Sequence, residues 1–195
     1  MNIYKSIDEI SRDENTVLTI GTFDGIHKGH KVLFEKLKQH SLQNNLRNVV
    51  VTFFPHPRTI VSDFDIKLLT TIDEKIDLLS NIGIENLLII NFSKEFSQQS
   101  SKEFITNIIC DKIGVKHIII GHDHKFGKDR NGNDNELIEL GKENNFTVEC
   151  VEPIMFENEV ISSTKVRDAL LNGQVTKANN YLERNYCFHG VVVKG

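Results

Sequence analysis

Five short runs of apolar, largely β-branched residues alternate along this chain with longer stretches whose apolar positions recur at helical spacing, and this rhythm is the strongest constraint on its fold. Strands joined by helix-length crossovers pair in parallel, and a parallel sheet needs helices on both faces. The runs are Thr16–Phe23, Asn48–Phe54, Asn86–Ile90, Lys116–Ile120 and Thr147–Val151. Between them, helices are predicted at Gly29–Leu42, at Ile72–Ile82 before Gly83, at Ser100–Ile113 behind an N-capping Ser100, and at Asn135–Asn144. Ser163–Asn172 and Val175–Leu182, divided by Gly173, read as a terminal helix pair. The expectation is an α/β chain with a doubly wound, mostly parallel five-stranded sheet, binding its ligands beyond the carboxyl ends of the strands.

Two segments break the rhythm. Gly121–Asp134 (GHDHKFGKDRNGND) is polar, glycine-rich and directly follows a strand, where a binding loop belongs. Residues 185–195 read as a linker entering one more strand at Gly190–Val193, which either adds to this sheet or opens a further domain. The organisation expected is one domain over 1–184, then that linker and strand.

Charge and cysteine content bound the partners. Lys and Arg total 23 against 27 Asp and Glu, a net charge of -4. A nucleic-acid backbone selects for a basic excess, so no nucleic-acid partner is expected. Three widely spaced cysteines fit neither a disulfide framework nor a zinc repeat. The sequence has no membrane-length apolar run and no signal-peptide pattern, so no membrane partner and a cytoplasmic location are expected.

The segment GTFDGIHKGHKVLFEKL spans strand, tight turn and helix. Gly21 and Gly25 permit backbone that side chains would forbid, and Gly29 lets a ligand approach the helix start, where unpaired N–H groups and the helix dipole favour an anion. His27 and His30 lie three apart, on one side of an incipient helical turn. Their imidazoles can donate to α-phosphate oxygens as charge grows there. An isolated H-x-x-H is more often a surface or capping pair, but here it stands in a strand–turn–helix context among three glycines. A second segment, Ile161–Arg167 (ISSTKVR), opens the penultimate helix. Ser162, Ser163 or Thr164 can cap it, and Lys165 and Arg167 add positive charge. Together the two segments can clamp one triphosphate, and nucleotidyl transfer asks for little more than positioning and charge stabilisation.

GTFDGIHKGH, TFFPHP, GHDHKFGKDRNG and ISSTKVR, in that order, resemble the FMN adenylyltransferase module of the prokaryotic bifunctional riboflavin kinase/FAD synthetases. The first and last also look like the signature motifs of the wider nucleotidyltransferase superfamily, which implies a Rossmann-like sheet. The resemblance implies ATP and FMN as substrates, with Mg2+ bridging the phosphates. It places His27 and His30 on the ATP phosphates beside Gly21, Phe23 and Gly29. Ser163, Thr164, Lys165 and Arg167 would then bind the triphosphate and the departing pyrophosphate. Asp123 would lie near the nucleotide and the flavin phosphate, and Pro55, His56 and Pro57 on the flavin side. The ending YCFHGVVVKG resembles the first strand of a riboflavin kinase module, implying a further C-terminal module as partner. Two positions depart from the family pattern: His124 stands where Phe is frequent, and Glu183 where Gly commonly precedes an Arg.

Other residues admit plainer roles. His122 and His124 are read as loop histidines rather than metal ligands, for want of a third ligand. Asp24 is read as a partner for turn amides before a contact to Mg2+ or substrate. Arg130 is an anion contact or a loop salt bridge, and Phe126 can stack on a planar ring. Phe53 and Phe54 alternate across a strand, so one faces the core and the other can reach a ligand. A different small-metabolite nucleotidyltransferase shares the same clamp and stands as the alternative. A binding module without turnover is the second, against which the clamp argues, since a pure binder needs no charge where pyrophosphate leaves.

Overall fold

A computed structural model describes residues 1–62, 66–122, 127 and 132–194. All five expected strands form: β2 (Thr16–Ile20), β3 (Arg47–Phe54), β4 (Asn86–Asn91), β5 (Val115–Gly121) and β6 (Thr147–Val151). A sixth, β1 (Asn2–Tyr4), extends the sheet at one edge. The order is β1-β4-β3-β2-β5-β6, with every neighbouring pair parallel. β1 carries no apolar run; side-chain bonds from Asn2 and Tyr4 to Asn86 Oδ1, at 3.1 and 3.3 Å, help to fix it there. Strand β2 is shorter than its apolar run because Phe23 turns the chain with a φ of 46°.

The two faces follow the two-residue period of the strands. Leu18, Val49, Val51, Leu88, Ile118 and Ile120 point to one side, beneath α4 (Ser101–Glu103, continuing as a π-helix over Phe104–Ile113) and α5 (Asp134–Asn144). Val17, Val50, Leu87, Ile89 and Ile119 point to the other, beneath α1 (Lys28–Asn44) and α3 (Ile72–Ile82). A single regular helix was expected where α4 winds wide. Its buried Phe104, Ile109 and Ile113 are five and four residues apart, a spacing that a wider helix keeps on one face.

Three small elements lack a strong sequence signal. The helix α2 (Pro57–Val61) follows β3. A hairpin pairs β7 (Met155–Phe156) with β8 (Glu159–Val160) through Glu157 and Asn158, both at positive φ. It delivers the chain to α6 (Ser163–Leu171), which packs with α7 (Val175–Leu182) around Val166, Ala169, Ala178 and Tyr181. The strand expected at Gly190–Val193 does not form; Val191 and Val192 stand 90% and 98% exposed, without a ladder partner to hold an extended segment. Among the described residues no helix is long and apolar enough to cross a membrane.

The topology positions the site. β2 lies between β3 and β5, and the chain leaves these strands toward opposite faces, so a crevice opens beyond their carboxyl ends. Leu18, fully buried in β2, anchors that centre. Replacing it with Ala should cost about 2–5 kcal/mol, read as a drop in urea midpoint with the slope unchanged; a loss below about 1 kcal/mol would contradict this packing.

Candidate active site

The turn between β2 and α1 is held in a costly shape. Phe23 and Ile26 adopt φ of 46° and 41°, beside Gly25 at 80°. Left-handed backbone at a β-branched residue costs on the order of 1–3 kcal/mol and persists only where its surroundings over-determine it. Those surroundings are side chains from distant elements. Asp24 Oδ1 accepts from the amides of Leu69 and Thr70 at 2.9 and 3.2 Å, and Thr70 Oγ1 accepts from the Gly25 amide at 3.2 Å. Lys75 Nζ of α3 donates to the Thr22 carbonyl at 2.6 Å, and Arg184, after α7, donates to the carbonyls of Gly25 and Ile26 at 2.7 and 3.0 Å.

Gly21 needs no unusual φ. A Cβ there would lie 2.8 Å from the Phe23 ring, so its role is clearance for that ring, not the backbone freedom expected of it. A Cβ on Gly29 would likewise approach the His27 ring to 3.2 Å. The His27 and His30 rings stack with centroids 3.6 Å apart, and Phe23 meets His30 edge-on at 5.2 Å. His27 is the N-cap of α1 but makes no capping bond, so the first amides of that helix remain available to an anion.

The second motif docks onto this turn. Arg167 Nη2 lies 2.9 Å from Asp24 Oδ2, with side chains 13% and 3% exposed. Ser163 Oγ donates to the Asp24 carbonyl at 2.8 Å. Removing one partner of so buried a pair strands a charge and costs about 3–5 kcal/mol. Asp24 thus serves turn amides, as expected, and also ties together segments 143 residues apart. The Ser163 hydroxyl proton is spent on that tie, while Thr164 stands exposed at the cleft.

One cleft of ≈ 980 Å³ opens over these parts. Gly21, Phe23, His27, Gly29 and His30 line one wall, and Ser163, Thr164 and Arg167 another. Lys165 does not join them. It sits one position past Thr164, a rotation of about 100° around the helix, and its ammonium pairs with Glu159 at 3.5 Å. Sequence charge alone could not separate it from Arg167; helical phase does. On the far side, His56 and Pro57 line the cleft, whereas Pro55, joined to Phe54 by a cis peptide bond, does not. Of the paired aromatics, Phe53 lines the cleft within a cluster of Phe92, Phe96 and Phe104, and Phe54 is exposed outside it. Asp123, His124, Phe126 and Arg130 lie outside the described residues; Gly127, described, lines the cleft with a φ of 72°.

Sequence reasoning missed Lys75. It falls within the apolar stripe Ile72, Ile76, Leu79 of α3, a position where lysine is out of place, and that was the available signal. Glu183, at the position where the resemblance leads one to expect Gly, takes a left-handed φ of 51° and pairs with Lys28 and Lys31 at 3.2 and 3.7 Å. Glycine adopts that backbone without strain, and here the two lysines help to hold it. Among the described residues no group of three or more His, Cys, Asp or Glu could hold a metal ion, and both Asp24 oxygens are engaged.

Burial holds the His30 imidazole well below its ordinary 6.5, reinforced by neighbouring His27 and the Lys75 ammonium. Burial likewise pushes His56 down to about 4; Asp24 opposes the shift, while Lys75, Arg167 and Arg58 add to it. His56 also caps α2, its Nδ1 accepting from the Arg58 amide at 3.1 Å, which requires that nitrogen unprotonated. Both rings are neutral at pH 7. Burial lowers Lys75 to about 8, against the attraction of Asp24. The unfolded chain takes up protons below pH 6.5 that the folded site refuses, so stability falls as pH drops from 6.5 toward about 4. His56→Asn keeps a capping side chain and removes one such group. The fall of urea midpoint across that window should be shallower in this variant; an unchanged slope would count against the assignment.

Relatives of this chain share its architecture. A Streptococcus pneumoniae protein described as a macrolide-efflux protein superposes with a TM-score of 0.82 at 29% identity, covering 93% of this chain and 59% of its own. Pantothenate synthetase from Thermus thermophilus, at 13% identity and a TM-score of 0.55 over 94% of this chain and 81% of its own, shares the fold alone. Bifunctional riboflavin kinase/FMN adenylyltransferases align along the whole chain: at 35% identity in Buchnera aphidicola subsp. Schizaphis graminum and 31% in Escherichia coli K12. The chain spans 64% and 63% of those two relatives' lengths. Residues 9–165 match the FAD synthetase family, and the chain belongs to that family.

Proposed function

We propose that this chain transfers AMP from ATP to the phosphate of FMN, giving FAD and pyrophosphate. The observation that carries the proposal is the Asp24–Arg167 pair, which brings the H-x-x-H turn and the start of α6 onto one cleft at the switch point of the sheet. The family and the relatives' names support flavin as the acceptor. So does the cleft: an aromatic cluster around Phe53 with His56 and Pro57 suits a planar ring, away from the wall that suits phosphates.

In this reading an FMN phosphate oxygen attacks the α-phosphorus of ATP. The new O–P bond forms as the bond to the β-phosphate oxygen breaks, and pyrophosphate leaves with the electron pair. The neutral ring of His30, with His27, donates hydrogen bonds to α-phosphate oxygens, which strengthen as charge accumulates there. The open amides of α1, Thr164 and the Arg167 guanidinium hold the outer phosphates. The described residues do not fit a protein-held Mg2+; the ion belongs with ATP as its counter-ion. Residues 1–184 form the adenylyltransferase domain, and 185–195 lead toward a riboflavin kinase module of the kind the longer relatives are named for.

The test is incubation with ATP, Mg2+ and FMN and separation of FAD by chromatography, with phosphopantetheine and nicotinamide mononucleotide as parallel acceptors. FAD from FMN alone is expected; product from another acceptor and none from FMN would overturn the reading. His30→Ala should lower kcat by about two to three orders of magnitude, as for the loss of one transition-state donor. A kcat near wild type would remove His30 from its role.

A further inference from the structure

The strained turn that carries His27 has its carbonyl oxygens held by side chains from three separate elements. Lys75 of α3 holds Thr22, Ser163 of α6 holds Asp24, and Arg184 holds both Gly25 and Ile26. Arg184 stands apart from the other two. It lies in the segment after α7, it is half-buried, and its two terminal nitrogens engage consecutive carbonyls at the residues with φ of 80° and 41°. Neither Arg184 nor Lys75 lines the cleft; both are engaged by backbone carbonyls of the turn. A carbonyl turned into the cleft would oppose a triphosphate. Holding these oxygens on outlying cations keeps that side of the turn away from the ligand and fixes the direction in which the chain enters His27.

We infer that Arg184 is a positioning residue for adenylyl transfer, acting through the Gly25–Ile26 carbonyls on the placement of His27 and His30. The inference rests on the proposed function above. Its geometry demands a guanidinium: two divergent N–H groups span two adjacent carbonyls, which a lysine ammonium, a single point of charge, does not reproduce. Glu183 holds the segment from the other side, pairing with Lys28 and Lys31 of α1, so Arg184 is presented to the turn from a fixed anchor.

The full 195-residue chain serves for the test, with wild type, Arg184→Ala and Arg184→Lys assayed for FAD formation and for amide hydrogen exchange. Small displacements of catalytic groups cost on the order of a hundredfold in rate, so Arg184→Ala is expected to lower kcat by at least about tenfold, with the KM for ATP changed far less. Arg184→Lys should recover only a minor part of the loss. Millimolar guanidinium ion should raise the rate of Arg184→Ala while leaving wild type unchanged. Exchange should accelerate at residues 25–30 and not in β3 or β4. If Arg184→Ala does not fold, the lysine variant carries the same kinetic and exchange readouts. A kcat within twofold of wild type, full recovery by lysine, or exchange that accelerates throughout the domain would overturn the inference. Absence of FAD from the wild-type protein would instead overturn the proposed function, so the two failures are distinguishable.

Discussion

The buried pair between Asp24 and Arg167 is the interaction on which the rest of the site depends. Each charge would be costly alone in that setting; Arg167 is paired with Asp24, and Asp24 also accepts from the amides of Leu69 and Thr70 before α3. The sheet supplies a crevice, but nothing in the sheet brings α6 across it. The pair does, assisted by the Ser163 bond to the same aspartate's carbonyl. The three satellite elements around the crevice, the β2–α1 turn, the segment before α3 and the start of α6, are thereby one mechanical unit.

Electrostatics in the cleft has a consistent sense. The Arg167 guanidinium lines the wall shared with Ser163 and Thr164, while the His30 and His56 imidazoles stay neutral, because Lys75 and burial both oppose their protonation. A neutral imidazole keeps a hydrogen-bond donor without adding a full charge that would hold the ground state as firmly as the transition state. Lys75 is itself part of this balance: burial lowers its pKa to about 8, and Asp24 restrains the fall.

Much of the architecture was legible in the sequence because it depends on local pattern. The strands announced themselves as apolar runs, and α3 appeared with its bounds because Thr71 and Glu74 form a capping box and Gly83 ends it in a left-handed turn. Edge strand β1 escaped because three residues with polar side chains among them make no periodic signal, and β7–β8 because Glu-Asn is a weak hairpin turn. At the site, the residue types were readable and their partners were not. Nothing local reports that Asp24 meets Arg167, that Gly21 clears a ring two residues on, or that Lys165 turns away from the residue before it. Those facts depend on helix phase and on contacts across the whole chain.

That separation along the chain has a consequence for synthesis. The ribosome releases residues 21–30 early and residues 163–184 late, and the early segment is strained without the late ones. A nascent polypeptide arrested within α5 would already own β2, β3, β4 and β5, and yet hold its first motif without the bonds from Ser163, Arg167 and Arg184. The second wall of the cleft arrives as a late event in translation, set by the emergence of α6 and of the segment beyond α7 rather than by completion of the sheet.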